Sequence, residues 1–193
     1  MLKGIYRWTI NWAKTPYATW ALFFIALAES SFFPIPPDVL LIAMGIAAPK
    51  RALFYALIST IGSVLGGIIG YLIGWQFMAT LGQHIVQFYG LSEKYLQVQN
   101  LYQSYDVWAT FLGGFTPLPY KLFTIAAGVF NINFAAFLIT SIVARGARFF
   151  LVGTVIYFSG LKIQNFIEKN LNFLTTGFAV ILILGYLFLK IIF

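Results

Sequence analysis

Five ionisable residues stand within otherwise apolar stretches of this chain: Glu29, Asp38, Lys121, Arg145 and Arg148. A charge at the centre of a membrane helix costs about 2.5–3.5 kcal/mol on insertion scales. Five unpaired charges would cost on the order of 12–17 kcal/mol, comparable with the whole stability of a domain. Pairing or hydration must offset that, and two acids with three bases can largely satisfy each other. The surplus is positive, which points to an anionic ligand. Arg145 and Arg148 are three apart, on one helix face, and each offers a planar fork for phosphate. Lys121 adds a point charge. Protonation of Glu29 or Asp38 as arginine partners move away would couple the site to protons. The bland alternative is an ion-pair network with a purely architectural role.

Other chemistries are excluded by composition. There is no cysteine, and the single histidine, His84, is expected to be an ordinary residue of an outer connection. Neither metal-ligand spacing nor a nucleophile–histidine constellation occurs, so neither metal nor cofactor is expected. No GxxxxGK[ST] loop is present to hold ATP. The chain therefore does not read as an enzyme.

The elements that must position these charges follow from hydropathy. Of 193 residues, 61% are hydrophobic, 19% aromatic and 9% charged, and the mean hydropathy is +0.87. Soluble domains carry about 25% charge. One all-α polytopic membrane domain is expected, and the net charge of +7 reads as topology rather than nucleic-acid binding. A bilayer core takes about 20 apolar residues of helix. Residues 52–75 and 134–157 fit a span, and 172–193 supply a C-terminal one.

Two other regions are apolar but interrupted. Residues 17–49 meet Glu29, then Pro34, Pro36, Pro37 and Asp38; residues 107–131 meet Pro117, Pro119 and Lys121. Each half is too short to cross alone, and proline removes a backbone donor and restricts the residue before it. A re-entrant hairpin is expected at each, rather than one kinked span, because broken backbone at membrane depth must be enclosed by protein or line a cavity. SFFPIPPDVLLIAMG (31–45) aligns without a gap on GFTPLPYKLFTIAAG (114–128), with six identities in fifteen and Asp38 opposite Lys121. The pattern is hairpin plus span, twice.

One span separates the hairpins, so they must enter from opposite faces, which makes the repeat inverted. The basic residues agree: Lys3, Arg7, Lys14, Lys50, Arg51, Lys162 and Lys169 fall on one face, Lys94 and Lys190 on the other. A cytoplasmic N-terminus follows. Amphipathic interfacial segments are expected at 1–16, at 79–106, where Ser92 can cap a helix, and at 158–171. Gly62, Gly66, Gly70 and Gly74 form a smooth ridge on the first span, suited to close helix packing within the chain or in a homodimer.

Glu29 followed by FFPIPPD, the later GFTPLPYK, the AAG after it and the flanking amphipathic segments resemble the DedA family, also called the VTT-domain or SNARE-associated Golgi protein superfamily. The resemblance covers roughly residues 17–160. It implies opposed re-entrant hairpins and a role in membrane lipid handling. Bacterial members include transporters of undecaprenyl phosphate, others are linked to proton-motive force, and eukaryotic members scramble phospholipids. Glu29 and Asp38 match the family's first-hairpin acids. Lys121 sits about where many members carry an arginine. The common arginine before the second turn is missing, with Phe115 and Thr116 in its region, and Arg145 and Arg148 stand in the next helix; this departure resembles the YqaA-like subgroup. The expected function is a flippase for a phosphate-bearing lipid, such as a polyprenyl phosphate or phospholipid, in the bacterial inner membrane. The alternatives are a proton- or cation-coupled transporter of a small solute and a noncatalytic assembly factor.

Overall fold

The computed structural model describes residues 15–32, 36–116, 118–160 and 162. Every regular element among them is helical: α1 Pro16–Ser31, α2 Pro37–Ala47, α3 Ala52–Phe77, α4 Gln83–Phe88, α5 Ser92–Ser104, α6 Asp106–Phe115, α7 Tyr120–Val129 and α8 Phe134–Gly160. A 3-10 turn, Pro49–Arg51, opens α3, and a π-helical stretch, Met78–Gly82, joins it to α4. Two helices are long and apolar enough to cross a membrane, Pro49–Phe88 and Phe134–Gly160. Pro34, Pro117, residues 1–14, most of 158–171 and all of 172–193 lie outside the described residues.

Proline sets the helix starts. Pro36 and Pro119 occupy the N-cap positions of α2 and α7, with extended backbone. The two helices therefore begin at matching points of the aligned segments. Pro37 follows as the first residue of α2, where a missing N–H costs nothing.

Contacts along α3 give the arrangement. The buried cluster Ala18, Leu22, Leu41, Met44, Tyr55, Ala56 and Phe149 joins the start of α1 to the end of α2, so these two helices lie antiparallel. Higher up, a Cβ added at Gly62 would lie 2.5 Å from the Phe23 carbonyl oxygen, and one at Gly66 would lie 2.1 Å from that of Leu27. At Gly70 it would lie 2.3 Å from Thr124 Oγ1, and at Gly74 it would lie 2.0 Å from the Ile125 carbonyl oxygen. The first two glycines thus seat α1 and the next two seat α7. The ridge is filled by this chain's own helices. α8 runs antiparallel to α3: Phe137 rings pack on Tyr71, and Gly153 meets Ala56.

Three details differ from expectation. The first long helix does not stop near residue 75 but continues through the π-helical stretch to Phe88, so His84 is helical, its Nδ1 2.8 Å from the Thr80 carbonyl oxygen. No proline or glycine pair breaks the ladder there. Ser92 does not cap α5: Leu91 takes that position, and Ser92 is the first helical residue. The chain is turned just before it by Gly90, at φ +64°. The first arm of the proline-interrupted region is also longer than expected, since α1 runs on through Glu29 to Ser31.

Candidate functional site

The helix ends that flank the two chain breaks meet the middle of α3 and α8. α1 brings Glu29 and Ser30, α2 begins with Asp38, α7 begins with Tyr120 and Lys121, and α8 presents Arg145 and Arg148 one turn apart.

Arg145 is the centre. It is 1% exposed. Its Nη2 lies 3.0 Å from Glu29 Oε2, and its Nε donates to Ser63 Oγ on α3. The guanidinium carbon sits 4.9 Å from the Tyr120 ring centroid and 4.6 Å from that of Phe149. Two aromatic faces, one carboxylate and one hydroxyl thus replace water around a charge that could not stay buried alone. Ser30 Oγ tightens the cage, 2.6 Å from Ser63 Oγ and 3.1 Å from Glu29 Oε2. Tyr120 is held in turn by its hydroxyl, 2.6 Å from Ser141 Oγ.

Arg148 forms a second, wetter pair. Its Nη2 and Nε reach Asp38 Oδ2 and Oδ1 at 2.8 and 3.3 Å, a bidentate fork. Its Nη1 donates to the Thr116 carbonyl oxygen, at the end of α6. One guanidinium therefore ties both chain breaks together. The side chains of this pair are 19% and 20% exposed, against 2% and 14% for Arg145 and Glu29.

Lys121 is brought to the same level but is not neutralised there. It stands in the first turn of α7, a turn without an acid, and makes no ion pair among the described residues. Mutual pairing of all five charges thus stops at two pairs. Sequence reading missed Ser30, Ser63, Tyr120, Ser141 and Phe149. Their only signal was polar or aromatic character within apolar runs, which many packed membrane helices share. Two buried hydroxyls close to the cage, Ser59 one turn before Ser63 and Thr110 one turn before Gly114, have no hydrogen-bond partner among the described residues.

Away from the charges, α5 closes the far end of α7. The last carbonyls of a helix have no partner inside it. Tyr95 Oη donates to Val129 at 2.8 Å, and the Gln99 and Gln103 amides donate to Phe130, each at 3.0 Å. Tyr102 Oη reaches the Phe123 carbonyl at 3.2 Å. Burial first, then the nearby Tyr120 and Asp106, push the Tyr102 phenol up to about 12.

Comparison with known proteins gives the site its context. The chain is 39% identical over 189 residues to the HI0703 homolog of Histophilus somni, covering 96% of this chain and 97% of that protein. It is 37% identical over 187 residues to a Haemophilus influenzae protein, covering 96% of each. No solved structure matches it significantly. The model of the VTT domain matches residues 35–158, which take in Asp38, Lys121 and both arginines. With that domain spanning more than half its length, and with these near-full-length relatives, the chain belongs to the VTT-domain family of membrane proteins, the DedA family.

Proposed function

We propose that the protein is a transporter that moves a phosphate-bearing lipid, a polyprenyl phosphate such as undecaprenyl phosphate or a phospholipid, across the bacterial inner membrane. The observation that carries this reading is the uneven neutralisation of the two chain breaks. Asp38, in the first turn of α2, suits the positive end of that helix and is paired with Arg148. Lys121, at the equivalent point of α7, adds a cation to a positive helix end, with no acid in that turn and no ion pair among the described residues. An anion there would meet the Lys121 ammonium, the α7 N-terminus and the partly exposed Arg148 fork. Helices broken near the midplane, with N-termini turned to an anionic group, are the usual substrate sites of inverted-repeat transporters.

In this reading the two helix pairs α1–α2 and α6–α7 are re-entrant hairpins entering from opposite faces. Their approach to α3 supports it: α1 climbs from the Ala52 end to Gly66, and α7 continues from Gly70 towards Phe77. The Pro49 end, with Lys50, Arg51 and Lys162, is cytoplasmic, and the N-terminus with it. Exposed Phe32, Phe115, Leu118 and Leu122 flank the breaks, which favours a cargo with apolar tails over a small solute. Competition of substrate phosphate with Asp38 for Arg148 would free the carboxylate to take a proton, coupling transport to the proton gradient.

The test is flipping of labelled polyprenyl phosphate or phospholipid in vesicles. Lys121→Ala and Arg148→Ala each remove a charge-assisted contact and should slow flipping about 10–100-fold at equal protein content. Undiminished flipping in both variants overturns the anion site. Lipid traffic unaffected by Glu29→Gln and Arg145→Ala in folded protein would instead favour an assembly factor.

A further inference from the structure

Lys50, Arg51 and Lys162 are not used by the central site. They are carried by the 3-10 turn that opens α3 and by the chain just beyond α8. Together with Ala48, Pro49, Tyr157 and Phe158 they line a cavity of about 670 Å³. Tyr157 is nine residues beyond Arg148, about 13 Å along the helix, so this cavity is separate from the chain breaks. Its walls meet tightly at one point: a Cβ added at Gly160 would lie 2.8 Å from both Cβ and Cγ of Pro49. The α2–α3 corner therefore rests directly on the end of α8, and the cations gather around that contact.

Three cations without an acid among the lining residues select a negative charge. The walls are otherwise apolar and aromatic, unlike a site for a freely hydrated ion. Below the cavity, Leu151, Val155 and Phe158 recur at helical spacing along α8 and are all exposed. A headgroup above and an apolar lane beneath match an amphiphile standing at the interface. Basic pockets between membrane helices on the cytoplasmic side are recognised lipid-headgroup sites.

We propose that this cavity binds the phosphate headgroup of an anionic glycerophospholipid from the inner leaflet, whose acyl chain lies along Leu151, Val155 and Phe158. The choice of leaflet rests on the orientation proposed above; binding at the cavity does not depend on transport. It is tested by titrating purified full-length protein in nonionic detergent with phosphatidylglycerol and with phosphatidylcholine. Tighter binding of phosphatidylglycerol is expected. Replacing Lys50→Gln and Arg51→Gln together should weaken it about 25-fold, about fivefold for each cation. Exchanging them, Lys50→Arg with Arg51→Lys, should preserve it within about twofold, which separates lost charge from lost fold. Equal binding of the two lipids, or full affinity in the double glutamine variant, overturns the proposal. Loss of the preference in Arg148→Ala with the cavity cations intact also overturns it, because the headgroup would then sit at the centre. Complete displacement of the lipid by millimolar inorganic phosphate would assign the cavity to the free ion and reject the lipid.

Discussion

Thr124 Oγ1 donates to the carbonyl oxygen of Ser30 at 3.1 Å, across 94 positions of sequence. It also reaches the Lys121 carbonyl at 3.0 Å. The last turn of α1 and the first turn of α7 are thereby laid end to end along α3, and a carbonyl with no intrahelical donor is satisfied by the next half-helix. Thr124→Val keeps the shape and removes the donor inside a buried junction. It should cost about 1–3 kcal/mol of unfolding free energy, recovered largely by Thr124→Ser. Thermal unfolding in detergent measures both, and equal stability of the valine variant would refute the junction's role.

Removing one member of the inner ion pair leaves the other buried without a partner. Arg145→Leu strands Glu29 and Ser63 and should destabilise by about 3–5 kcal/mol. The double variant Arg145→Leu with Glu29→Leu removes both charges and should regain much of that loss while flipping stays abolished. Unfolding curves of the wild type, Arg145→Leu, Glu29→Leu and the double variant decide this, because additive losses would mean that the two groups do not interact.

The glycines of α3 and α8 should tolerate alanine very differently. At Gly66 the added Cβ would lie 2.1 Å from a backbone oxygen that cannot rotate away, so Gly66→Ala should cost about 1–3 kcal/mol. At Gly146 the nearest atom is 3.9 Å from the added carbon, and Gly146→Ala should be neutral or stabilising by up to about 1 kcal/mol through helix propensity. Expression level and melting temperature report the contrast; similar values for the two would undo the packing argument.

The chain has no cysteine, so single cysteines can be introduced without background. Substituted at exposed Phe32 and Leu118, beside the two breaks, they should react with membrane-impermeant thiol reagents from opposite sides of sealed vesicles. Reaction of both from the same side would rule out opposed hairpins.

Alkaline stability should carry a signature of Tyr102. An unfolded tyrosine ionises near 10.0, whereas in the fold this phenol stays protonated up to about 12. The stabilisation is fully present below pH 10 and is lost as pH rises from about 10 to about 12. Tyr102→Phe should be slightly less stable at pH 8, having lost its bond to Phe123, and should fall less steeply above pH 10. Identical slopes for the two proteins would show that Tyr102 does not govern this limb.

Several features were legible before any coordinates. Long apolar runs identify the two helices able to span, the second despite Arg145 and Arg148, because apolar composition over about 20 residues is a local property. Pro36 and Pro119 mark the starts of α2 and α7, because a ring without an N–H acts on its own backbone and its immediate neighbours. The five charges were likewise recognisable from their apolar surroundings. Their partners were not. Glu29 meets Arg145 across 116 positions and Asp38 meets Arg148 across 110, while Lys121 makes no ion pair among the described residues. Nothing in a count of acids and bases assigns those distances, which depend on how α8 crosses both chain breaks. The glycine ridge is similar: spacing shows a smooth face, but only the assembled helices divide it between α1 and α7. The amino-acid sequence alone determined where the helices break and which charges lie among apolar residues, since both follow from chemistry within a turn or two. Tertiary structure decided which acid meets which arginine, since that depends on the spatial meeting of segments about a hundred residues apart.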